Sequence, residues 1–481
     1  MAFSIQTLHN FSASATISVM EEDKRETSFD ADQAGILVKE LKSQFDSGKT
    51  KTYEWRLAQL ESLSRMMDEK EKDITEALYK DLSKPEFEAF IAEISMIKSS
   101  CKLAVKELKQ WMMPEKVKTP LTTYPSSAEI VSEPLGIVLV ISTWNYPFSA
   151  GNAVVLKPSE IAPATSSLLA KLLEEYVDNT SIKVIEGAVD ETSALLEQKW
   201  DKIFYTGSGR VGRIVMAAAA KHLTPVVLEL GGKCPVVVDS DVNLQVAARR
   251  IIAGKWGCNN GQTCTAVDYS ELNESFGKNP MESKDMSRIV NLYHVTRLMK
   301  LLEEDGVSDK IVLGGEIDEM KLKIAPTIVL DAPEDSALMT EEIFGPLLPI
   351  VTVEKIEESF EVIKSKPKPL AAYLFTNNEQ LKNAFVKNIS AGGMLVNDTI
   401  LHLTVSTLPF GGVGESGMGY YHGKFSFEAF SHKKAVMYRS FDGDSSIRYP
   451  PYTPKKLKLL KSLMSGNFFQ LILTLVGWSK D

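Results

Sequence analysis

The 481 residues are enough for two or three core-forming units, and apolar and charged fractions of 44% and 24% are ordinary for a globular protein. The formal net charge of −9 argues against nucleic acid as a partner. The four cysteines (positions 101, 234, 258 and 264) and six scattered histidines have no metal-ligand spacing, and the cysteines are too few for a disulfide scaffold. The sequence therefore predicts no metal site and a reducing compartment.

The first 28 residues differ in composition from the rest of the chain. Residues 1–19 contain no acidic residue and several Ser and Thr residues, and an acidic stretch begins at Glu21. This composition is typical of a transit peptide, although transit peptides usually carry Arg and none precedes Lys24. A flexible N-terminus has the same composition, so both interpretations stay open.

Helical and strand patterns alternate between the two ends. Residues 31–45 and 55–67 each place apolar side chains on one helical face. Further on, short runs of branched apolar residues are separated by Ala- and Leu-rich helical stretches. The runs are Ile137–Ile141, Val154–Leu156, Ile203–Tyr205, Val226–Leu230 and Val236–Val238. Such runs are typical of parallel strands buried on both faces, so we predict an α/β fold with a doubly wound parallel sheet. A second α/β block is expected from about 230 to 415.

Asn145 follows the first of these strands, where a loop residue projects into the crevice at the carboxyl ends of parallel strands. Its side-chain amide is able to donate a hydrogen bond to a developing oxyanion, and this kind of stabilisation is usually the largest in acyl chemistry. An Asn before Tyr146-Pro147 also suits a simple turn, which is the structural alternative.

Gly207, Ser208 and Gly212 belong to a glycine-rich turn between the strand at 203–206 and the helix at 211–221. Glycine permits a tight turn and a close approach of the backbone, and a helix N-terminus presents free N–H groups to a pyrophosphate. A glycine turn between a strand and a helix is also common without any ligand, so the turn alone does not identify a cofactor site.

Cys264 and Glu229 are the candidate nucleophile and base. A thiol is a strong nucleophile only as the thiolate, which requires an electropositive and partly open pocket. The polar residues 258–262 before Cys264 predict an exposed loop, although a free cysteine is more often an inert buried group. Glu229 stands between apolar residues before Gly231-Gly232, as at the end of a buried strand, where a carboxyl of raised pKa is able to act as a general base.

Seven motifs in the same order resemble the aldehyde dehydrogenase family. They are Trp144-Asn145-Tyr146-Pro147-Phe148, Lys157-Pro158-Ser159-Glu160, Gly207–Gly212, Leu228–Lys233, Gly261–Cys264, Glu342–Pro346 and Leu408–Gly412. The subgroup resembled is the class 3, fatty-aldehyde type. The stretches Phe29–Gln33, Tyr53–Arg56 and Arg448–Tyr452 are similar to its plant chloroplast-type members.

The resemblance implies a reaction. The Cys264 thiolate attacks an aldehyde, Asn145 and the Cys264 N–H stabilise the alkoxide, and hydride passes to the nicotinamide. Glu229 then activates the water that releases a carboxylic acid from the thioester. A medium- or long-chain, lipid-derived aldehyde is the expected substrate. A cysteine hydrolase is the rival class, and it needs a His base for which the sequence shows no motif.

The resemblance also implies a cofactor, NAD with NADP as the alternative, and the residues that hold it. Lys157 and Glu160 would bind the adenosine ribose, Gly207, Ser208 and Gly212 the pyrophosphate turn. Glu342 would bind the nicotinamide ribose and Phe344 would pack beside the nicotinamide. Without the resemblance, Lys157 reads as a solvated loop charge and Glu342, in a short acidic Gly-Pro loop, as a surface residue.

The expected division of the chain is an N-terminal segment 1–28, a cofactor domain 29–229, a catalytic domain 230–415, an oligomerisation part 416–452 and a tail 453–481. Family members are commonly homodimers, and the resemblance favours the chloroplast over the cytoplasm. In the tail, four lysines between 455 and 461 precede an apolar stretch at 468–478. Such a tail suits either peripheral membrane contact or packing on the body or on a second subunit.

Two segments of the family pattern are missing. Ser149 alone bridges Phe148 and Ala150, where the family has an apolar helical stretch beneath the cofactor. A few residues after Asp268-Tyr269 likewise replace a strand and most of a helix. Compact cores accommodate such losses poorly. The alternative function is therefore that of an inactive or weakly active splice-type isoform, acting as a non-catalytic subunit partner.

Overall fold

A computed structural model describes residues 29–120, 123, 125–146, 155–266, 280–442 and 444–465. The N-terminal segment 1–28, both shortened places and most of the tail lie outside these described residues. No helix within the described ranges is long and apolar enough to cross a membrane.

Helices and strands alternate along most of the described chain. The helices are α1 (Ala31–Asp46), α2 (Tyr53–Glu69), α3 (Glu71–Leu82), α4 (Glu86–Ala89), α5 (Met96–Trp111), α6 (Pro163–Tyr176), α7 (Val189–Leu196), α8 (Gly209–Ala220), α9 (Leu244–Lys255), α10 (Leu292–Glu303), α11 (Ala337–Thr340), α12 (Ile356–Ser365), α13 (Glu379–Asn388), α14 (Gly423–Ala429) and α15 (Pro454–Met464). A π-helical segment, Phe90–Ser95, joins α4 to α5.

The strands are β1 (Glu115–Val117), β2 (Ser127–Pro134), β3 (Val138–Ile141), β4 (Val155–Lys157), β5 (Lys183–Val184), β6 (Lys202–Gly207), β7 (Val226–Leu230), β8 (Val236–Val238), β9 (Ile311–Leu313), β10 (Ile317–Asp318), β11 (Lys323–Ile324), β12 (Thr327–Leu330), β13 (Leu347–Ile350), β14 (Ala371–Phe375), β15 (Gly393–Val396), β16 (Gly417–Met418) and β17 (Ser431–Tyr438). The two predicted N-terminal helices are α1 and α2, which begin after the capping side chains of Asp30 and Thr52.

A six-stranded sheet in the order β16-β7-β6-β3-β4-β5 forms the centre of the N-terminal half. Its last five strands are parallel, and β16 is antiparallel to β7. Alternate residues of each strand enter opposite cores: Leu139 and Tyr205 face α1, α7 and α8, whereas Val140 and Phe204 face α2, α3 and α6. Apolar burial on both faces explains the continuous apolar runs, and the predicted doubly wound sheet is confirmed.

Smaller sheets complete the structure. In the region from 230 to 415, β15-β14-β8 is parallel, β13-β12-β9 is mixed, and β10 and β11 form an antiparallel pair. A further sheet, β1-β2-β17, is antiparallel. There β17, close to the C-terminus, pairs with β2 along eight residues, from Ser431 opposite Pro134 to Tyr438 opposite Ser127. Together with the β16–β7 pairing, this contact attaches the C-terminal part to the N-terminal half.

Candidate active site

Glu229 lies in β7 at the end of the six-stranded sheet. Its neighbours in register are Thr206 of β6 and Gly417 of β16, so the residue is held between two strands. The side chain is 3% exposed, and its Oε1 is buried without a hydrogen-bond partner among the described residues. The strand end that the sequence predicted is therefore present, and it holds a carboxyl group in an environment that disfavours charge.

Cys264 follows a buried loop, not the exposed one that its polar sequence predicts. Asn259, Asn260 and Gln262 are each no more than 1% exposed. The prediction failed because Gln262 is satisfied internally, although Oδ1 of Asn259 and Oδ1 of Asn260 have no hydrogen-bond partner among the described residues. Gln262 donates to the carbonyls of Asn259 and Arg288 at 3.1 and 2.9 Å, and accepts from the Val290 N–H at 3.0 Å.

The loop also requires an unusual backbone. Asn259, Asn260 and Gly261 have left-handed φ angles of 49°, 49° and 78°. A Cβ at Gly261 would lie 2.2 Å from the carbonyl oxygen of Gly345, so only glycine fits there. The glycine three residues before Cys264 thus serves a close backbone approach.

Cys264 and Glu229 line the same cavity and interact with each other. The Cys264 thiol donates a hydrogen bond to the Glu229 carboxyl, which opposes the effect of burial, and the pKa of Glu229 is raised to about 7. Burial, and then the charge and hydrogen bond of Glu229, raise the pKa of the Cys264 thiol well above its usual value. Among the described residues, the charged groups that shift the pKa of Cys264 are carboxyls, and they raise it, so the structure does not show the electropositive pocket that a thiolate requires.

Asn145 is 4% exposed and belongs to the same cluster. Its Nδ2 donates to the Gln262 carbonyl at 3.0 Å, and its Oδ1 accepts from the Thr143 hydroxyl at 2.6 Å. The main-chain carbonyl of Asn145 accepts from Nζ of Lys84 at 2.7 Å. Asn145 is more than a turn residue, because its amide reaches across 117 residues of sequence to the loop of Cys264.

The turn at the start of α8 depends on its glycines. Gly207 has a φ of 154°, and a Cβ there would lie 2.3 Å from the Tyr205 hydroxyl. A Cβ at Gly212 would lie 2.8 Å from a methyl group of Leu230, so Gly212 permits close packing of α8 on β7. Ser208 caps α8 by accepting from the Val211 N–H. The turn leaves a backbone cradle at a helix N-terminus, which is the feature that a dinucleotide pyrophosphate requires.

Lys157 is 2% exposed, which contradicts its interpretation as a solvated loop charge. Its Nζ donates to the carbonyls of Pro158 and Gly187 at 2.8 and 2.6 Å and to Glu160 at 2.8 Å. Glu160 is exposed. The pair therefore fixes a charged group with hydrogen-bonding capacity at the end of β4.

Glu342 is half-buried and lies against the residues that follow Glu229. Its Oε1 accepts from the Gly232 N–H at 3.0 Å, and burial raises its pKa. Phe344 has a left-handed φ of 49° and packs edge-on against Trp144, with the ring centroids 5.4 Å apart. A surface position for Glu342 is therefore wrong.

One cavity of about 1930 Å³ unites these residues. All the candidate residues line it except Gly212, which packs behind the turn. The lining includes Asn145, Lys157, Glu160, Gly207, Ser208, Glu229, Cys264, Glu342 and Phe344. Among the described residues no cluster of His, Cys, Asp and Glu could hold a metal ion. A doubly wound sheet, a glycine cradle and a thiol–carboxyl contact on one cavity fit an enzyme of the dehydrogenase class.

Known proteins match over almost the whole length. The sequence profile described as "Aldehyde dehydrogenase family" matches residues 15–436. In Arabidopsis thaliana, the chloroplastic aldehyde dehydrogenase family 3 member I1 is 64% identical over 98% of this chain and 90% of its own length. That alignment runs over 498 positions, so the relative has residues where this 481-residue chain has none. Member H1 of the same plant is 62% identical over 93% of this chain and 98% of its own.

Solved structures agree. Staphylococcus aureus AldH, in a substrate-bound state, superposes with a TM-score of 0.85 at 41% identity, covering 89% of this chain and 99% of that chain. The glyceraldehyde-3-phosphate dehydrogenase GapN of Methanocaldococcus jannaschii, complexed with NADP, has a TM-score of 0.74 at 25% identity, covering 85% and 94%.

The chain belongs to the aldehyde dehydrogenase family. It is an enzyme that oxidises aldehydes with NAD or NADP, as the sequence predicted, and nothing in these comparisons supports the non-catalytic alternative.

Sequence reasoning missed one part of the site. Lys84 and Glu93 form an ion pair whose two side chains are 0% exposed, and Lys84 contacts Asn145. Neither residue lies in a motif, and the pair is 61 residues away from Asn145 in sequence when counted from Lys84. The one local signal for this ion pair is that a lysine and a glutamate stand in a part of the sequence that is otherwise rich in apolar residues.

Proposed function

We propose that Cys264 is the nucleophile of this aldehyde dehydrogenase and that Glu229 is its general base. The observation that carries the proposal is the hydrogen bond from the Cys264 thiol to the buried Glu229 carboxyl at the wall of the cavity. The Glu229 carboxyl has a pKa of about 7, so this carboxyl is able to receive the thiol proton and to release it again near neutral pH.

The steps follow from the positions of these groups. The thiol proton moves to Glu229 as sulfur bonds to the aldehyde carbon, and the carbonyl oxygen takes the negative charge. Asn145 Nδ2 has two protons, of which Gln262 takes one among the described residues, so the other is available to this oxygen together with the Cys264 N–H. The cofactor supplies the hydride acceptor, and a thioester remains on Cys264. Glu229 releases the thiol proton to solvent and then takes a proton from water, whose oxygen attacks the thioester. The carbon–sulfur bond breaks, the acid leaves, and the proton on Glu229 returns to the Cys264 sulfur.

The cofactor would be held along the cavity wall. Gly207 and Ser208 at the start of α8 would receive the pyrophosphate, with Gly212 allowing the close packing behind them. Lys157 and Glu160 would bind the adenosine ribose, and Glu342 and Phe344 the nicotinamide end. In this arrangement residues 29–229 mainly bind the cofactor and residues 230–415 contribute the nucleophile.

The rival cysteine hydrolase would need an imidazole beside the thiol. Within the described part of the chain, the groups that shift the pKa of Cys264 are two carboxyls and the thiol of Cys234. The geometry therefore favours a carboxyl base over a histidine base.

The substrate proposed is a medium- or long-chain, lipid-derived aldehyde. The cavity wall includes large apolar side chains that suit an alkyl chain. These are Phe87, Ile91, Trp111, Leu403 and Phe427. Comparing kcat/KM for aldehydes of three to twelve carbons measures this preference, and a preference for the shortest would contradict it.

We further propose a homodimer in the chloroplast, with the cytoplasm as the alternative location. Among the described residues, β17 lies at an edge of its sheet, and its side chains Met437 and Tyr438 are both about half accessible, as in a contact surface. The chloroplastic relative supports the location. Sedimentation and a plastid import assay measure the two proposals separately.

The tail is proposed to contact a membrane surface. Leu457, Leu460 and Met464 are exposed along one side of α15, with Lys455 and Lys461 nearby. An apolar stripe with lysines suits an anionic lipid interface, and packing on a second subunit is the alternative. Flotation with anionic vesicles distinguishes the two.

Replacing Cys264 by Ser is expected to lower aldehyde oxidation by more than about 100-fold, because a hydroxyl is a much weaker nucleophile than a thiolate. Cys101→Ser, Cys234→Ser and Cys258→Ser are the matched controls and should retain most activity. Iodoacetamide inactivation should track carboxymethylation of Cys264 by mass spectrometry. Inactivation that tracked Cys258 would contradict the assignment.

Glu229→Gln tests the base. The wild-type kcat is expected to fall as the pH falls through about 7, because the raised pKa leaves the carboxyl protonated and unable to accept a proton below that pH. In Glu229→Gln this limb should disappear. In the variant, the first turnover should form reduced cofactor slowly at pH 7 and rapidly at pH 9. Steady-state turnover should stay slow at both pH values. Normal turnover in the variant would remove Glu229 from the mechanism.

Lys157→Met is expected to weaken NADH binding about tenfold, since it removes a fixed donor from the cavity wall and leaves the Gly187 carbonyl unpaired. Fluorescence titration measures the affinity. Lys171→Met, on the exposed side of α6, is the control. An unchanged affinity in Lys157→Met would show that the adenosine ribose binds elsewhere.

A further inference from the structure

The buried ion pair of Lys84 and Glu93 lies outside the cavity but next to the catalytic cluster. The chain leaves α3 at Leu82 and turns through Ser83, whose φ is 50°, so that Lys84 points inward before α4. Glu93 comes from the π-helical segment that follows α4. Lys84 Nζ and Glu93 Oε1 are 3.1 Å apart, and both side chains are 0% exposed.

The Lys84 ammonium contacts three surrounding groups. It donates to Glu93, it donates to the Asn145 carbonyl at 2.7 Å, and it lies 4.2 Å from the centre of the Tyr146 ring. Ammonium groups are attracted to the faces of aromatic rings. One charged atom therefore holds the backbone of Asn145 and the ring of the next residue together.

Tyr146 continues this connection to the nucleophile. Its hydroxyl lies 3.0 Å from Oγ1 of Thr263, the residue before Cys264, and the Thr263 hydroxyl donates to the Cys258 carbonyl at 3.0 Å. Asn145 reaches the same loop through its bond to the Gln262 carbonyl. Both oxyanion donors of the proposed mechanism, the Asn145 amide and the Cys264 N–H, thus depend on contacts that begin at Lys84.

The pair is poorly explained by stability. A buried ion pair loses its hydration, and apolar residues of similar size often serve stability as well or better. Neither Lys84 nor Glu93 lines the cavity, so neither contacts a substrate there. The function that remains on these observations is to fix the geometry of the groups that do line it.

We propose that Lys84, neutralised by Glu93, is a positioning residue that sets the two oxyanion donors against Cys264. The proposal rests on the proposed roles of Asn145 and Cys264. Misplacing such donors by about 1 Å costs on the order of 100-fold in rate. The ion pair should therefore affect the formation of the oxyanion and leave the binding of the cofactor unchanged.

The test uses the full-length enzyme with Lys84→Met and Glu93→Gln combined, which removes both charges of the pair at once. The nearby carboxyl of Glu88, whose charged form Lys84 favours, keeps its hydrogen bonds from Asn259 and Ser287. We expect kcat for aldehyde oxidation to fall about 10- to 100-fold, with NADH affinity and the thermal midpoint close to wild type. A deuterated aldehyde should show a larger isotope effect on kcat, because hydride transfer from the poorly stabilised alkoxide becomes limiting. Lys42→Met with Asp46→Asn, an exposed pair of the same kind, is the control and should change nothing.

Asn145→Ala completes a double-mutant cycle. If Lys84 acts through Asn145, the neutral pair should lower kcat by a smaller factor in the Asn145→Ala background than in the wild type, since coupled residues are not additive. The loss that remains there comes through the contacts of Tyr146 and Thr263 with the loop of Cys264. Losses that multiply would overturn the positioning role. An active Asn145→Ala would overturn the oxyanion assignment itself, and the positioning proposal with it. An impaired Asn145→Ala beside a fully active neutral pair would overturn the positioning proposal alone.

Lys84→Arg covers the case in which the neutral pair does not fold. It keeps both charges, but its planar guanidinium places its donors differently, so kcat is expected to fall about tenfold with NADH affinity unchanged. Wild-type kcat in Lys84→Arg would overturn the proposal.

Discussion

The buried contact between the Cys264 thiol and the Glu229 carboxyl is the interaction on which the chemistry of this fold depends. The effects of the two groups on each other are opposite: the carboxylate raises the pKa of the thiol, whereas the hydrogen bond from the thiol lowers the pKa of the carboxyl, which burial raises to about 7. The thiol–carboxyl pair is therefore able to pass a proton from sulfur to oxygen when sulfur bonds to the substrate. A nucleophile that is protonated until a base receives its proton is protected from adventitious chemistry, because the thiolate is the reactive form.

Strand pairing and loop contacts hold the two residues of this contact in place. Glu229 is fixed because β7 is paired on both sides, by β6 and by β16, and a Cβ at Gly417 would lie 2.1 Å from the Leu228 carbonyl. The C-terminal part thus closes over the base that the N-terminal sheet provides. On the other side of the contact, the loop of Cys264 is held by Gln262 and by the contacts from Lys84.

The sequence was sufficient to predict the sheet and most of the site, because short stretches of sequence identify both. Apolar runs identify strands such as β3 and β6, and family motifs identify Glu229 and Cys264. The environment of Cys264 was predicted wrongly, because Gln262 satisfies its polar groups with partners 26 and 28 residues away, which no local pattern shows. For the same reason Lys84 and the pairing of β17 with β2 were not predicted: their partners become neighbours only when the chain is folded.

The pH dependence of Cys264 alkylation tests the central contact most directly. Iodoacetamide is reacted between pH 6 and 10, and carboxymethyl-Cys264 is quantified by mass spectrometry for the wild-type enzyme and for Glu229→Gln. Because the carboxylate raises the pKa of the thiol through its charge and its hydrogen bond, the midpoint should lie above that of a free cysteine in the wild type and fall in the variant. A midpoint that is unchanged or higher in Glu229→Gln would contradict the account.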